Sequence, residues 1–593
     1  MMKNTLIFLP EWNTTHPYLS LPCLAGYLRS KDVNIDQIDL NIEWFWYINS
    51  IEFINSCRER ICRKNLKEDD VLLYKIIYSY LLENNELYKS IIKDKEKFYE
   101  YEGYKKIKNY TEMAQLFISE AYDGLKIDTN MFSSDSSYDI DELYLKACDD
   151  TNNPFIKFYK KMIKKYNLLE YDFIGFSLIG MGQLSSLFAI IRILREEGSK
   201  AHVCLGGNTF SKIHYKIEEN KNVFNFVDSI LFFEGEYPLF KLIKTLENNE
   251  SLENVPNCAF YDKEKDKVVI TEIAKCIVPI EELPTPDYSG LLLDLYTAPH
   301  RILPYFVSRS CYWGRCAFCD HDYGYDGVYR VKSIDKVFED IRVLKERFDA
   351  DVIYFVDEAL SVPFIEKLCD RMDENNSFKW FAYIKASTKF TYELCKKMHD
   401  CGCLFIMVGI ESCSSTVLES MNKGITTEDI YATVENMNKA GIWLHSFLIN
   451  DFPTETKEDK LETLFSIFEY NFHSNGLSEF SLPKHSKMYS NLEEYGIYET
   501  KENSKLSSIL SYKSKIKCNK KLQRRLINLY NTKVHNNFVV NTLMDSQHIP
   551  LFMMKYDLIL NNDILYKLVR NEYTFDKNDL IYYKKDNSII IFN

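Results

Sequence analysis

The chain has 593 residues, 46% of them hydrophobic and 27% charged, with 73 Lys and Arg against 86 Asp and Glu for a formal net charge of −13. That composition excludes a disordered or fibrous protein and provides for about three to five domains, each able to bury its own core. The acidic balance speaks against nucleic acid held on a basic surface and for a small-molecule or peptide substrate.

Thr5–Leu9 reads as a buried strand that Pro10 and Glu11 end, too short to cross a membrane and without a small-residue cleavage site. No run of about 18 apolar residues occurs, so the expectation is a soluble, cytoplasmic protein without a membrane partner, its 16 cysteines reduced. Leu21, Leu24, Ala25 and Leu28 fall at helical spacing over Leu19–Ser30, and Asn34–Leu40 alternates as a second strand. Residues 51–166 are rich in Lys, Glu and Tyr with helical periodicity, which predicts a helical insertion.

Alternation then resumes with a strand at Phe173–Ile179, a helix over Leu184–Glu197, a strand at Ala201–Leu205 and the pair Gly206-Gly207. A further strand, Ser229–Phe233, leads through Glu234-Gly235-Glu236 into a helix at Pro238–Leu246. Strands alternating with helices predict an α/β, doubly wound, Rossmann-like domain over residues 1–50 and 167–275. Ligands in such sheets lie beyond the carboxyl ends of the strands, which puts Ser177, Gly206, Gly207 and Gly235 on the ligand side, although a Gly-Gly pair by itself is most often just a turn.

A hairpin is expected around Asp262–Lys267, and residues 276–300, with prolines at 279, 284 and 286, read as a linker. A second alternation begins at Phe306-Val307 and continues through Val352–Val356, Trp380–Ile384, Leu404–Val408 and Trp443–Ile449. It predicts a partial (β/α)6 barrel over 301–475 with its chemistry on the loops that follow the strands. Residues 476–593 read as a small α+β C-terminal domain, a substrate or cap domain, ending in a hairpin of Leu580–Tyr583 and Ser588–Phe592.

The loop after the first barrel strand reads Ser308-Arg309-Ser310-Cys311-Tyr312-Trp313-Gly314-Arg315-Cys316-Ala317-Phe318-Cys319-Asp320. Three thiolates so close on a polar loop point to one soft metal centre. Two readings compete: a zinc ion with Asp320 or His321 as fourth ligand, or an iron–sulfur cluster that keeps one iron open. Cys395, Cys401 and Cys403 enter an apolar strand and read as core thiols.

This loop resembles that of the radical S-adenosylmethionine superfamily, including the aromatic Phe318 before the third cysteine, but with four residues instead of the usual three between the first two cysteines. Gly314 is available to absorb the extra residue. The resemblance extends to Gly409-Ile410-Glu411-Ser412 with Leu418, Met421, Asn422, Lys423 and Gly424, to Asp357-Glu358 after a strand, and to Asp451-Phe452-Pro453-Thr454-Glu455-Thr456, where Asp451 stands for a first glycine. Together with Leu21-Pro22-Cys23-Leu24-Ala25-Gly26-Tyr27-Leu28, the first domain resembles the cobalamin-binding domain of class B methyltransferase-like members.

The resemblance implies a 4Fe-4S cluster on Cys311, Cys316 and Cys319, and S-adenosylmethionine contacts from Phe318, Asp357, Glu358, Lys385 and Glu411. It also implies cobalamin contacts from Ser177, Leu178, Gly206, Gly207, Gly235 and Glu236. Residues 11–17 lack the Asp-x-His-x-x-Gly signature, so cobalt would carry no histidine from His16 below it, the base-off state. The implied reaction is methyl transfer from methylcobalamin to an unactivated carbon of a peptide or natural product, with flavodoxin or ferredoxin as electron donor and a monomer or homodimer as the assembly. The alternatives are a cobalamin-free radical enzyme performing a rearrangement, dehydrogenation or thioether crosslink, and a zinc protein without turnover. Local readings stand beside these. Glu411 could cap a helix near Ser412 and Ser414, Asp357-Glu358 could be a solvated turn, His445 could be a structural histidine or a proton donor, and Tyr312 and Trp313 could wall off the cluster or simply pack.

Overall fold

The computed structural model describes residues 2–10, 12–122, 125–128, 131–134, 139–325, 327–373, 377–470, 472–516 and 548–557. The expected terminal hairpin at 580–592 lies outside the described residues.

The first domain is built on β1 (Asn4–Phe8) and β2 (Asp36–Asp39). The insertion follows, with helices Ile51–Ile61, Glu68–Ile91, Tyr101–Ala121, Ile140–Ala147 and Phe155–Lys165. It is not wholly helical, because β3 (Leu125–Asp128) and β4 (Met131–Ser134) pair as an antiparallel hairpin. The sheet resumes with β5 (Phe173–Ser177), β6 (His202–Gly206), β7 (Ser229–Leu231), β8 (Cys258–Asp262) and β9 (Lys267–Ile270). Its order is β2-β1-β5-β6-β7-β8-β9, parallel as far as β7 and antiparallel at the β8–β9 edge hairpin. The chain leaves β1 in one direction towards β2 and in the other towards β5, so the order reverses between β1 and β5, the place where doubly wound sheets take ligands. Central β1 and β5 are buried along their whole length, as parallel strands covered on both faces are. The insertion shares this core: Trp44 lies 4.5 Å from Phe155 and 5.1 Å from Phe158, ring to ring.

The stretch expected as a linker is clamped at its middle, over residues 285–289. Gln37 Nε2 donates to the Asp287 and Ser289 carbonyls at 2.8 and 2.9 Å, and Arg29 pairs with Asp287 at 3.1 Å. A Cβ on Gly26 would meet the Thr285 carbonyl oxygen at 2.8 Å, so the helix Ser20–Ser30 touches this segment through a residue that has to be glycine.

The second domain starts with β10 (Ile302–Tyr305), four residues ahead of the expected Phe306-Val307, and places Pro304 on the edge of the sheet where its missing N–H is harmless. A short ribbon of β11 (Ser308–Arg309) and β12 (Arg330–Val331) follows, then β13 (Val352–Leu360), β14 (Lys379–Ile384), β15 (Cys403–Glu411), β16 (Trp443–Asn450) and β17 (Ser474–Glu479). The barrel order is β10-β13-β14-β15-β16-β17, all parallel, with helices between successive strands. A boundary at residue 475 would therefore cut the sixth strand, and the barrel extends to Glu479.

Beyond it, β18 (Leu482–Pro483), β19 (Ile497–Glu502) and β20 (Ile509–Ser514) form a small antiparallel sheet. The helix Ile549–Tyr556 lies at the opposite end of the barrel, where its buried Leu551 and Phe552 join a core that includes Phe98, Phe381 and Phe405. His548 links Tyr104 Oη to the Thr297 carbonyl, 2.8 Å from each. This helix floors the barrel rather than capping the site. Among the described residues no helix is long and apolar enough to cross a membrane.

Lys332 and Asp340 form a wholly buried pair at 3.2 Å. Asp340 also accepts from Thr285, Tyr305 and Lys336, which joins the clamped segment, the first barrel strand and the first barrel helix. Burial alone would raise the Asp340 carboxyl, but Lys332 and the hydrogen bonds hold it below the usual carboxylate range. Its contribution to stability is complete above the unfolded value of about pH 4 and is lost as pH falls through the depressed folded value. Asp340→Asn is expected to destabilise the barrel by ~3–5 kcal/mol through an uncompensated buried lysine, read as a lower urea midpoint at pH 7. The difference from the parent should narrow at pH 3.

Candidate functional site

The cysteine loop is held from three sides. At its start, Asp357 on β13 accepts from the Val307 amide at 3.1 Å, the Ser308 amide at 2.5 Å and the Ser308 hydroxyl at 2.6 Å. Asp357 is buried, and desolvation pushes its carboxyl up to about 6. It is not a solvated turn: its oxygens accept from the start of the loop, and it also lines the barrel cavity. Next, Asp322 accepts from the Ser310 hydroxyl at 2.8 Å, and a Cβ on Gly314 would meet Asp322 Oδ2 at 2.5 Å. Gly314 has φ +56°, so the extra residue between Cys311 and Cys316 is absorbed where only glycine fits. Finally, the Ala317 amide donates to the Met421 carbonyl at 2.7 Å, and the Met488 amide donates to the Ala317 carbonyl at 2.8 Å. The small C-terminal sheet thus props the loop from behind.

Trp313 packs rather than walling off solvent alone. Its Nε1 donates to the Asn422 carbonyl at 3.0 Å, its ring would lie 2.0 Å from a Cβ on Gly424, and Lys385 Nζ sits 4.1 Å above it while donating to the Gly424 carbonyl. Lys423, beside it, pairs with Glu411 at 2.7 Å, near Cys316 and Phe318. Glu411 has φ +66°, and a Cβ on Gly409 would collide with this pair, at 2.6 Å from Glu411 and 3.0 Å from Lys423. Glu411 is therefore an ion-pair partner and not a helix cap. Asp451, in place of a glycine, has φ +62°, which Asp tolerates better than most residues, and its amide donates to Glu455 at 2.8 Å.

Cys311, Cys316 and Cys319 are half-buried free thiols. Burial pushes Cys319 up to about 12, so a thiolate there needs added positive charge. Among the described residues no three His, Cys, Asp or Glu side chains lie close enough to hold a single metal ion. A zinc ion would draw its ligand atoms to within 2.0–2.3 Å of one centre, whereas a four-iron cluster spreads its three thiolates over separate irons. Cys395 and Cys403 are buried core thiols, while Cys401 lies 2.8 Å, sulfur to sulfur, from Cys369.

A cavity of about 910 Å³ runs from the carboxyl ends of the first sheet into the barrel lumen. Of the residues expected at cofactors, it is lined by Ser177, Gly206, Gly207, Gly235, Glu236, Asp357 and Glu358, and by Ser310, Asp320 and His321 flanking the cysteines. Leu178, Phe318, Lys385 and Glu411 are not in its wall. Gly207, with φ +104°, is required by Leu178, whose carbonyl oxygen would lie 2.1 Å from a Cβ there, before any ligand is considered. Glu236 also departs from expectation: its carboxylate is taken by Arg309, and Glu234 pairs with both Arg309, at 3.0 Å, and Arg330. Burial opposes the charge on Glu236, yet Arg309 holds its carboxyl below the usual range. Sequence reasoning missed this buried network across the domain seam, since nothing local links Arg309 to Glu234. It also missed the hydroxyl pair Tyr354–Tyr383, 2.9 Å apart in the cavity wall. His445 lines the cavity with Nδ1 2.8 Å from Ser474 Oγ, and burial pushes it down to about 4, which leaves a neutral imidazole at pH 7.

Residues 305–467 match the Radical SAM superfamily model. The barrel is a radical SAM domain. An uncharacterized methyltransferase of Pyrococcus horikoshii is 26% identical over 311 residues, which span 51% of this chain and 65% of that protein. The fold of the whole chain is similar to that of OxsB, a cobalamin-dependent S-adenosylmethionine radical enzyme solved with aqua-cobalamin (TM-score 0.57, 15% identity, 96% of this chain and 75% of that one). It is equally similar to TsrM, a radical S-adenosylmethionine methyltransferase from Kitasatospora setae solved with cobalamin and a [4Fe-4S] cluster (TM-score 0.58, 12% identity, 96% of this chain and 100% of that one). The pairing of a Rossmann-like domain with a radical SAM domain thus extends over nearly all of the chain.

The Trp313–Gly424 contact gives a direct test of loop geometry. Gly424→Ala is expected to displace the indole, seen as a shift in tryptophan fluorescence, and to lower the iron retained after anaerobic reconstitution with far-ultraviolet circular dichroism unchanged.

Proposed function

We propose that the protein is a cobalamin-dependent radical S-adenosylmethionine enzyme that methylates an unactivated carbon of a peptide or natural product. The observation that carries this reading is one continuous cavity that joins the switch point of the first sheet to the barrel lumen beside the cysteine loop. When bound, the cluster supplies the electron that cleaves S-adenosylmethionine and the corrin supplies the methyl group.

Cys311, Cys316 and Cys319 are the residues to hold the cluster, with the Lys423 and Lys385 cations close enough to Cys316 to offset thiolate charge. Glu358, beside His321, and Glu411, beside the Lys423 cation, together with Phe318 and Lys385 form the polar and aromatic surround offered to S-adenosylmethionine. Ser177, Leu178, Gly206, Gly207 and Gly235 form the sheet edge offered to the corrin. His16, whose ring packs 5.2 Å from Tyr354, is not presented by the lower-ligand signature, in keeping with base-off cobalamin. A small electron carrier such as flavodoxin or ferredoxin, a monomeric or homodimeric state and a cytoplasmic setting complete the proposal.

Anaerobic reconstitution is expected to give about four irons per chain. Cys316→Ala should lose both the iron–sulfur absorbance and methyl transfer from labelled S-adenosylmethionine, and a variant that keeps both would overturn the cluster assignment. Incubation with hydroxocobalamin followed by gel filtration should leave corrin absorbance on the protein. Its absence would instead favour a cobalamin-free radical enzyme.

A further inference from the structure

The charged residues of the cavity wall are partnered within the protein. Lys212 pairs with Asp320 at 2.8 Å, His321 with Glu358 at 3.1 Å, and Arg309 with Glu234 and Glu236, while Asp357 is held by backbone amides. Deeper in the lumen the wall changes character. Tyr354, Tyr383, Phe405, Met407, His445 and Phe447 contribute aromatic rings and a thioether and no charge. Tyr383 and Phe447 lie nearly parallel with centroids 6.0 Å apart, and His445 meets Phe447 edge-on at 4.8 Å.

A charged substrate group placed there would lose its hydration, and the nearest carboxylate, Glu358, is already paired with His321. A flat uncharged ring meets aromatic faces and a polarisable sulfur instead. Two polar atoms remain to orient it. The Tyr354 hydroxyl donates to Tyr383, which leaves the Tyr383 hydrogen for an acceptor. His445 meets Ser474 through Nδ1, and Ser474 also accepts from Trp443 Nε1 at 3.0 Å, so the other nitrogen of this neutral ring is the one left for a ligand.

We propose that the lumen end of the cavity takes the substrate as an uncharged planar ring, oriented by the Tyr383 hydroxyl and the His445 imidazole. This rests on reading the barrel as the site of substrate methylation, and it adds the chemical class of the group that enters.

The experiment uses three near-isosteric probes, benzamide, benzoate and benzamidine, with the full-length protein reconstituted anaerobically with iron, sulfide and cobalamin. Dissociation constants are measured by ligand-observed NMR. Benzamide is expected to bind at least tenfold more tightly than either charged probe, and Tyr383→Phe and His445→Leu are each expected to weaken it about tenfold with corrin absorbance and iron content retained. S-adenosylmethionine should not displace it. Equal or tighter binding of a charged probe, benzamide binding unaffected by both substitutions, or its displacement by S-adenosylmethionine, which would assign the aromatic pocket to the adenine, overturns the proposal. Loss of the methylation reading would show separately, as benzamide binding retained by a protein that transfers no labelled methyl group.

Discussion

The cavity exists because Arg309 is buried between two carboxylates of the other domain. A guanidinium and the Glu234 and Glu236 side chains, all nearly out of water, offset one another's desolvation only while all are paired, which ties the seam to this register. That register fixes the turn after β7 against the residue two before Cys311. Asp357 and Asp322 then carry the constraint along the loop, one through the backbone amides at its start and one through Ser310 and the glycine-only space at Gly314. Cluster loop, sheet edge and lumen share one wall as a result.

The parts legible in the sequence are those governed by local period. Both strand–helix alternations, the parallel sheets and the place of the cysteine loop follow from hydrophobic spacing that a strand or helix cannot avoid. The contacts that the sequence does not show share a different cause. Asp357 and Glu236 sit at the carboxyl ends of strands, where a ligand is expected, and their protein partners, Val307 and Ser308 in one case and Arg309 in the other, lie about 50 and 73 residues away. Gly207 has a left-handed backbone that packing against Leu178 already requires, a constraint the sequence does not show. Residues 276–300 carry the prolines of a linker, yet Thr285, Asp287 and Ser289 are hydrogen-bonded to the helix Ile334–Phe348, to β2 and to the helix Ser20–Ser30.

Other departures from a familiar pattern became intelligible only as backbone geometry. The wider cysteine spacing is accommodated at Gly314, and Asp451 adopts the left-handed conformation for which glycine is the usual choice. Glu411 does the same at the end of β15, and this turns its carboxylate to Lys423. An overall charge of −13 likewise foretells nothing about the cavity, whose ionic groups each have a partner nearby.

The helix that floors the barrel has a consequence for how the molecule is made. Phe381 and Phe405 lie under a cover contributed by residues 96–104 and 549–556, so segments some 450 positions apart meet beneath strands that fall between them in the chain. During synthesis from the N-terminus, residues 96–104 precede the six strands, which can pair before residues 549–556 have emerged. Until then part of the barrel's apolar underside stays open.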